Sequence, residues 1–271
     1  MTYVLYIFAE EESLHIIRMS QLDQDQEQFS KDVMKMLMNG TANDVTIVLK
    51  DGEMKANKDL LKVRCPYFET MFNNNNFVES QTNTVKMMNV EKQTMERVMK
   101  YLFSGKMNKL YPPPPNLLSK VKVLDLLRLL VLDQAYDKVQ NIVLHSLEAR
   151  SQKLCKRENT LNSFERGTTF NIIPCLVLAG ELNVESVYHK CLQIMSLHID
   201  LLLNCVSEVK PFKKMSFEII RDFLESGEGV LPDKMKAFKV WFDYNERNFN
   251  EEEKMDILKF QLDYVINALD G

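Results

Sequence analysis

The sequence has few of the residues on which metal, redox and phosphate sites depend. Its 271 residues include five cysteines, and none of these forms a Cys-x-x-Cys pair or lies at zinc-ligand spacing from a histidine. The eight glycines are scattered and form no Gly-rich phosphate loop. The four histidines have no cysteine, serine or carboxylate partner in a recognisable catalytic arrangement. We therefore expect no enzyme, no metal and no cofactor.

The sequence also lacks a long apolar run and a cluster of positive charge. The apolar N-terminal run Met1–Phe8 soon meets three glutamates, and no later stretch approaches the ~20 apolar residues of a membrane span. The formal charge is −4, and the lysines and arginines are spread along the chain rather than grouped as phosphate binding requires. An odd number of cysteines without a framework indicates a reducing compartment. We expect a cytoplasmic or nuclear protein that binds neither membranes nor nucleic acid.

The composition is that of an ordinary folded protein, with 45% apolar and 27% charged residues. Its length suits about two domains of ~100–150 residues each. The sharpest break is Pro112–Pro115, because four prolines favour an extended polyproline II segment that no helix crosses. We interpret it as a rigid surface loop, with a ligand for a proline-reading domain as the alternative.

Helix and strand periods alternate before this break. Apolar residues in Phe29–Met38 recur with a helical period, and those in Val45–Leu49 alternate as in a strand. Asp51-Gly52 predicts a two-residue turn into a return strand, because both residues tolerate a positive φ. Pro66 suits the first position of a helix, since it has no N–H to leave unpaired.

An Asn-rich segment follows, and we predict a loop over Asn73–Ser80. A third strand near Val85 and Met87 then precedes an amphipathic helix that ends before Gly105. After the prolines the pattern is helical throughout. Apolar residues at helical spacing predict a series of helices at Leu124–Val131, Val139–Leu147, Ile172–Ala179, Val187–Met195, Ile199–Val206, Phe217–Leu224, Phe238–Phe242 and Leu258–Leu269.

This order of elements resembles the BTB/POZ domain, a protein-interaction module without catalytic chemistry. The matching motifs stand at the hairpin, the junction of two helices, the Asn-rich segment and the later helix: Asp44-Val45, Ala56-Asn57-Lys58, Cys65-Pro66-Tyr67-Phe68, Met71-Phe72, Glu79-Ser80 and Tyr101–Lys106. Two residues depart from the familiar family forms, Asn57 for a histidine and Cys65 for a serine. The implied fold is an α+β domain with a short mixed sheet.

Residues 170–245 resemble the BACK domain, the helical extension that follows BTB in many cullin-3 adaptors. The resemblance rests on the motifs Cys175–Ala179 with Leu182 and Cys191, Met215-Ser216-Phe217 and Lys236–Trp241. Together the two resemblances imply an N-terminal segment at 1–28, in which a strand swapped between dimer partners is one reading. They further imply a BTB domain at 29–148, a linker at 149–169 and an all-α BACK-like domain at 170–271.

The BTB resemblance implies homodimerisation through the first helix. Met34 and Met38 widen the apolar stripe of this helix beyond the one face that its own core needs. The alternative is a helix that only covers its own core. The resemblance also places a buried aspartate and a basic residue near the dimer groove, here Asp44 and Lys58, unless Asp44 merely caps a strand. The implied interface comprises Phe29, Val33, Met34, Met36, Leu37, Met38, Asp44 and Lys58.

The resemblance implies a cullin-3 contact as well, through a hydrophobic-x-Glu motif in the loop before the third strand. Phe77-Val78-Glu79 matches this motif, with Phe77 as an apolar anchor and Glu79 as a polar contact. Alternatively, Phe77 packs on the domain's own surface. Tyr67 and Tyr111 are further candidates for the cullin surface.

The function that follows is a substrate-recruiting subunit of a cullin-3 ubiquitin ligase that homodimerises, or pairs with another BTB protein, and carries an unknown protein substrate. The alternative is a BTB scaffold outside the ligase system, such as a transcriptional or cytoskeletal interaction protein, or an inhibitor that occupies the cullin. No obvious substrate-reading module is present, so the BACK-like surface, residues 1–28 and a heterodimer partner remain candidates for that role.

Overall fold

The computed structural model describes residues 43–110, 117–158 and 170–270, together with three helical residues before them, Gln28, Asp32 and Lys35. These three are polar, exposed and spaced by four and three residues, as on the outer face of a helix. The predicted dimer residues Phe29, Val33, Met34, Met36, Leu37 and Met38, together with Tyr111 and Pro112–Pro115, lie outside the described residues.

The described residues divide into two compact units. The first lies within Met1–Pro113 and Leu126–Asp133, and the second within Pro114–Asp125 and Gln134–Gly271. The elements in chain order are β1 Val45–Leu49, β2 Gly52–Ala56, α1 Lys58–Arg64, α2 Pro66–Asn73, α3 Val78–Thr82, β3 Thr84–Met87, α4 Lys92–Ser104, α5 Leu117–Leu129, α6 Asp133–Glu158, α7 Ile172–Glu181, α8 Glu185–Leu203, α9 Val206–Lys213, α10 Phe217–Glu225, α11 Leu231–Asn245 and α12 Glu251–Asp270.

The first unit contains a three-stranded mixed sheet in the order β2-β1-β3. Strand β1 pairs antiparallel with β2 and parallel with β3. Val45, Ile47 and Leu49 are buried, as their alternation predicts, since successive side chains of a strand point to opposite faces. The short mixed sheet with helices, followed by a mostly helical region, confirms the predicted fold class.

The hairpin turn differs from its prediction by one residue. Leu49 pairs with Gly52, so Lys50 and Asp51 form the loop and Gly52 begins β2 with a φ of +146°. A carboxylate oxygen of Asp51 accepts the N–H of Lys92, the first residue of α4, at 2.6 Å. Asp51 therefore caps a helix distant in sequence, and this capping contact holds the hairpin against α4.

The junction between α1 and α2 follows the sequence prediction. Pro66 occupies the first turn of α2, and Asn57 caps α1 by accepting the N–H of Leu60 at 2.9 Å. The departure at Cys65 also has a physical account. Its thiol is buried and donates to the carbonyl oxygen of Leu130 at 3.4 Å, and burial raises its pKa, so it behaves as a core side chain rather than a nucleophile.

Two helical boundaries after the prolines differ from the sequence pattern. Helix α5 ends at Leu129, so the predicted Leu124–Val131 helix is too long, and Val131 has a left-handed φ of +57° and is exposed. Helix α6 continues to Glu158, into the first part of the stretch predicted as a linker, 149–169. The domain boundaries themselves remain a prediction.

The second unit is helical, as predicted for residues 170–271. The two helices predicted over Val187–Met195 and Ile199–Val206 are one element, α8, with a kink at His198 where φ is −130° and ψ is 24°. Val206 instead begins α9. Its core includes an aromatic cluster, in which Trp241 lies near Phe217, Phe238 and Phe249 at ring-centroid distances of 5.9, 5.9 and 5.8 Å.

Candidate functional site

The motif Phe77-Val78-Glu79 lies where a short helix begins, which corrects the loop predicted over Asn73–Ser80. Phe77 is the N-cap residue of α3, and Val78 and Glu79 form its first turn. The helix is stabilised locally, because the hydroxyls of Ser80 and Thr82 donate to the carbonyl oxygens of Phe77 and Val78 at 2.7 and 2.9 Å. Glu79 in the first turn also favours a helix through the backbone dipole.

The apolar side chains of this motif face solvent. Phe77 is 42% exposed and Val78 is 67% exposed, whereas Glu79 is half-buried. The alternative in which Phe77 packs into the domain's own surface therefore accounts for only part of its ring. Exposed aromatic and branched side chains beside a carboxylate are typical of a protein-binding surface.

Tyr67 belongs to the same surface. Burial raises the pKa of its hydroxyl, and the nearby negative charge of Glu79 raises it further. The structure thus brings Tyr67 and Glu79 together, although they lie on α2 and α3. The ring of Tyr67 packs edge-to-face on the buried Phe68, with ring centroids 5.3 Å apart. We call Tyr67, Phe77, Val78 and Glu79 the Phe77 surface.

The asparagines before α3 shape this surface. The N–H of Asn76 donates to the side-chain oxygen of Asn74 at 3.0 Å, which closes a local turn. The amide of Gln81 donates to the carbonyl oxygen of Asn75 at 3.0 Å and ties the turn to α3. The sequence indicated a loop here, but only the structure shows that these side chains hold Phe77 at the helix start.

Asp44 and Lys58 contact each other without forming a buried ion pair. Asp44 is exposed in the single chain, and its carboxylate accepts the backbone N–H of Lys58 at 2.7 Å, so the expected buried aspartate is not observed there. The ammonium of Lys58 donates to the side chain of Asn83 at 2.8 Å and lies 5.0 Å from the centroid of Phe72. Their role in a dimer remains a prediction.

Lys58 also supports the Phe77 surface, a role that sequence reasoning missed. Its ammonium donates to the carbonyl oxygen of Ser80 at 3.3 Å, so the start of α1 is attached to α3. Asn83, the other acceptor, ends α3 in the left-handed conformation with a φ of 51°. No spacing rule in the sequence relates Lys58 to residues more than twenty positions away.

Two properties of the described residues bear on ligands and membranes. Within residues 43–110, 117–158 and 170–270, no group of three or more histidine, cysteine, aspartate or glutamate side chains is arranged to hold a metal ion. In the same part of the chain, no single helix has the length and apolar character to cross a membrane. One pair of helices, Glu185–Leu203 and Ser207–Lys213, has that length and apolar character only when the two are taken together, and they are bent by 112° relative to each other.

Comparison with known proteins identifies a domain. Residues 33–146 match the family model described as BTB/POZ domain. The chain is 36% identical over 76 residues to mouse (Mus musculus) Rho-related BTB domain-containing protein 1. This alignment covers 28% of this chain and 11% of that protein. It is 40% identical over 73 residues to human (Homo sapiens) Rho-related BTB domain-containing protein 2, and this alignment covers 27% of this chain and 10% of that protein. The match thus spans about a tenth of the length of these relatives.

A solved structure shows a similar but distant likeness. The BTB (Tramtrack and Bric a brac) domain of human Gigaxonin aligns with a TM-score of 0.35 and 19% sequence identity. The alignment covers 42% of this chain and 87% of that domain.

Proposed function

We propose, from the BTB/POZ domain formed within residues 33–146, that this chain is a homodimeric adaptor that brings a protein substrate to a cullin-3 ubiquitin ligase. A BTB domain indicates protein–protein interaction, and the ligase role is the more specific proposal. The adaptor acts by placement, because binding both substrate and scaffold raises the effective concentration of one near the other. We place it in the cytoplasm or nucleus.

The observation that carries the cullin proposal is the exposure of Phe77 and Val78 beside Glu79. An exposed ring that a partner can bury supplies an apolar anchor, and a carboxylate at its edge supplies charge recognition. Lys58 attaches α1 to α3 through its hydrogen bond to the carbonyl oxygen of Ser80, and Tyr67 on α2 lies near Glu79. The BACK-like interpretation of the second unit adds a helical extension that positions the substrate.

Replacing Phe77 and Glu79 together with alanine is expected to weaken cullin-3 binding roughly thirtyfold, because hot-spot anchors contribute about 2 kcal/mol or more. The measurement is a titration of purified cullin-3 N-terminal region against the full 271-residue chain, with circular dichroism to verify the fold. Val63→Ala is the matched control, since Val63 is 81% exposed on α1 and lies outside the Phe77 surface.

The same titration separates the rival functions. Wild-type binding that survives in the double variant would place the cullin contact elsewhere. A wild-type chain that does not bind cullin-3 at all would refute the ligase proposal and favour the non-ligase scaffold. The inhibitor alternative would be favoured by a different result: the chain binds cullin-3, and its addition lowers ubiquitin transfer to the substrates of other adaptors.

Homodimerisation has its own test. The wild-type chain is expected to have twice its 31.7 kDa monomer mass by light scattering. Met34→Asp with Met38→Asp is expected to reduce this to the monomer mass, because charges on the predicted apolar stripe oppose a self-complementary contact. Lys35→Asp is the matched control, since Lys35 is exposed. A dimeric double variant would contradict the assignment of this helix.

A further inference from the structure

Helix α12 carries apolar side chains on the face that points away from the rest of the second unit. Met255, Leu258, Leu262, and Leu269 are 66%, 41%, 60% and 73% exposed, and Val265 is half-buried among them. We call these five residues the α12 stripe. The helix predicted over Leu258–Leu269 is observed, and this apolar face of it is exposed.

The inner side of α12 is a different set of residues. Ile257 is buried, and Phe260 makes an edge-to-face contact with Phe217 at a centroid distance of 5.6 Å. At 3.6 residues per turn, the α12 stripe occupies an arc of about 80° roughly opposite these two side chains. One helix thus has an inner apolar face that the unit covers and an outer apolar face that it does not.

The helix is well formed without a partner on the outer face. Asn250 and Glu253 make a reciprocal capping box, in which each side chain accepts the other's backbone N–H at 2.8 and 2.9 Å. The acidic first turn, Glu251 to Glu253, suits the positive end of the dipole. The outer face is therefore presented in a fixed helical geometry.

The spacing within the stripe indicates what covers it. Met255, Leu258, Leu262, Val265 and Leu269 follow one another at intervals of three, four, three and four residues. This is the seam of a helix that packs against another helix, because such spacing keeps the apolar side chains facing one partner axis. The stripe is about 21 Å long at 1.5 Å per residue, which a partner helix of about four turns would span.

The charges beside the stripe select the partner. Between Glu251 and Asp263 there are five carboxylates and two lysines. Glu252, Asp256 and Asp263 are exposed along one edge of the stripe, with Lys259 between them. On the other edge Lys254 is paired with Glu251 at 2.9 Å. The face is thus apolar with an acidic edge, which complements an apolar seam flanked by basic residues.

The same charges disfavour the other occupants. In an antiparallel pair of two α12 helices, each edge meets its own copy, so the acidic edges would repel each other. Anionic lipid headgroups would repel these carboxylates too, whereas helices that lie on membranes are typically rich in lysine and arginine.

We propose that the α12 stripe is a docking site for a basic amphipathic helix of a partner protein. This site is separate from the Phe77 surface and does not depend on cullin binding.

The test uses a fluorescently labelled synthetic peptide with leucines at the same spacing on one face and lysines along both flanks. Anisotropy titration against the full chain should give binding that weakens at least about tenfold in Leu258→Ser/Leu262→Ser. Glu252→Gln/Asp256→Asn/Asp263→Asn should weaken it severalfold and reduce its dependence on salt. Leu197→Ser is the matched control, because Leu197 is 46% exposed on α8.

Several results would overturn the proposal. One is equal binding of a peptide whose flanking lysines are replaced by glutamates, and another is unchanged affinity in the leucine double variant. A lower light-scattering mass for that variant than for the wild-type chain would assign the stripe to a second copy. Leucine-dependent binding to phosphatidylcholine–phosphatidylserine vesicles would assign it to a membrane surface.

Discussion

Trp241→Ala should lower the free energy of unfolding of the second unit by about 3–5 kcal/mol, the cost of removing a large aromatic side chain from a packed core. Trp241 is 1% exposed and lies between Phe217, Phe238 and Phe249. Its indole N–H donates to the carbonyl oxygen of Met215 at 2.9 Å, so the substitution also leaves a buried acceptor unpaired. The cavity cannot be refilled easily, because these neighbours come from α10, from α11 itself and from the segment between α11 and α12.

Trp241→Phe separates the two contributions. It retains a ring and loses the hydrogen bond, so we expect a smaller loss of about 1–2 kcal/mol. Tyr244→Ala is the matched control on the same helix, since Tyr244 is 50% exposed. Denaturant unfolding should be followed by far-ultraviolet circular dichroism, because Trp241 is the single tryptophan and its fluorescence is lost. Equal midpoints for Trp241→Ala and Tyr244→Ala would contradict the prediction.

The elements around this core could be predicted from sequence because their signals are local. The period of Phe238 and Trp241 predicts a helix, and Ser216 caps the helix of Phe217 by accepting the N–H of Ile219. The meeting of these helices on one indole could not be predicted, since periodicity says which face is apolar but not which neighbour it meets. The same limit applies to α12, because the spacing of its apolar residues is the same whether they are buried or exposed.

The candidate site shows a second limit. The sequence located Phe77-Val78-Glu79 beside the third strand, and the structure agrees. It could not show that α3 is a helix, because five residues are too few for a period to be recognised. The hairpin turn was misplaced for a related reason. The Asp-Gly preference is local, whereas the contact from Asp51 to Lys92 crosses forty-one positions.

Buried charges lie outside what sequence patterns reveal. A periodic reading assigns every charged residue to solvent, yet Glu208 and Lys234 are 0% and 2% exposed. The carboxylate of Glu208 accepts the N–H of Ile173 at 2.8 Å at the start of α7, and burial raises its pKa. Each charge is kept inside by backbone groups that a helix end or a turn leaves unpaired.

Lys234→Met should lower the free energy of unfolding of the second unit by about 2–4 kcal/mol, because buried acceptors left without a donor cost about 1–3 kcal/mol each. The ammonium of Lys234 donates to the carbonyl oxygen of Leu224 at 3.1 Å and to the hydroxyl of Ser226 at 3.0 Å, and it also donates to the carbonyl oxygen of Ser226. Methionine retains the apolar stem, so the loss reports mainly on the ammonium.

The pH dependence of this difference has a definite sign. Burial lowers the pKa of Lys234 from its ordinary value of 10.5, so the folded state releases this proton more readily than the unfolded state. Its contribution to stability is therefore complete above 10.5 and is lost as the pH falls through the lowered folded pKa. The difference in unfolding free energy between wild type and Lys234→Met should therefore widen as the pH rises from the lowered folded pKa to 10.5.

Lys236→Met is the matched control, since Lys236 lies on the same helix and pairs with Asp200 at the surface. Surface pairs contribute about 0–1 kcal/mol, so this variant should unfold close to the wild type. Trp241 fluorescence follows unfolding in both variants, because the tryptophan is retained and lies in the core of this unit. If Lys234→Met and Lys236→Met had the same free energy of unfolding, the turn after α10 would not depend on the buried ammonium. A gap that narrowed toward alkaline pH would show instead that the folded state holds this proton more tightly.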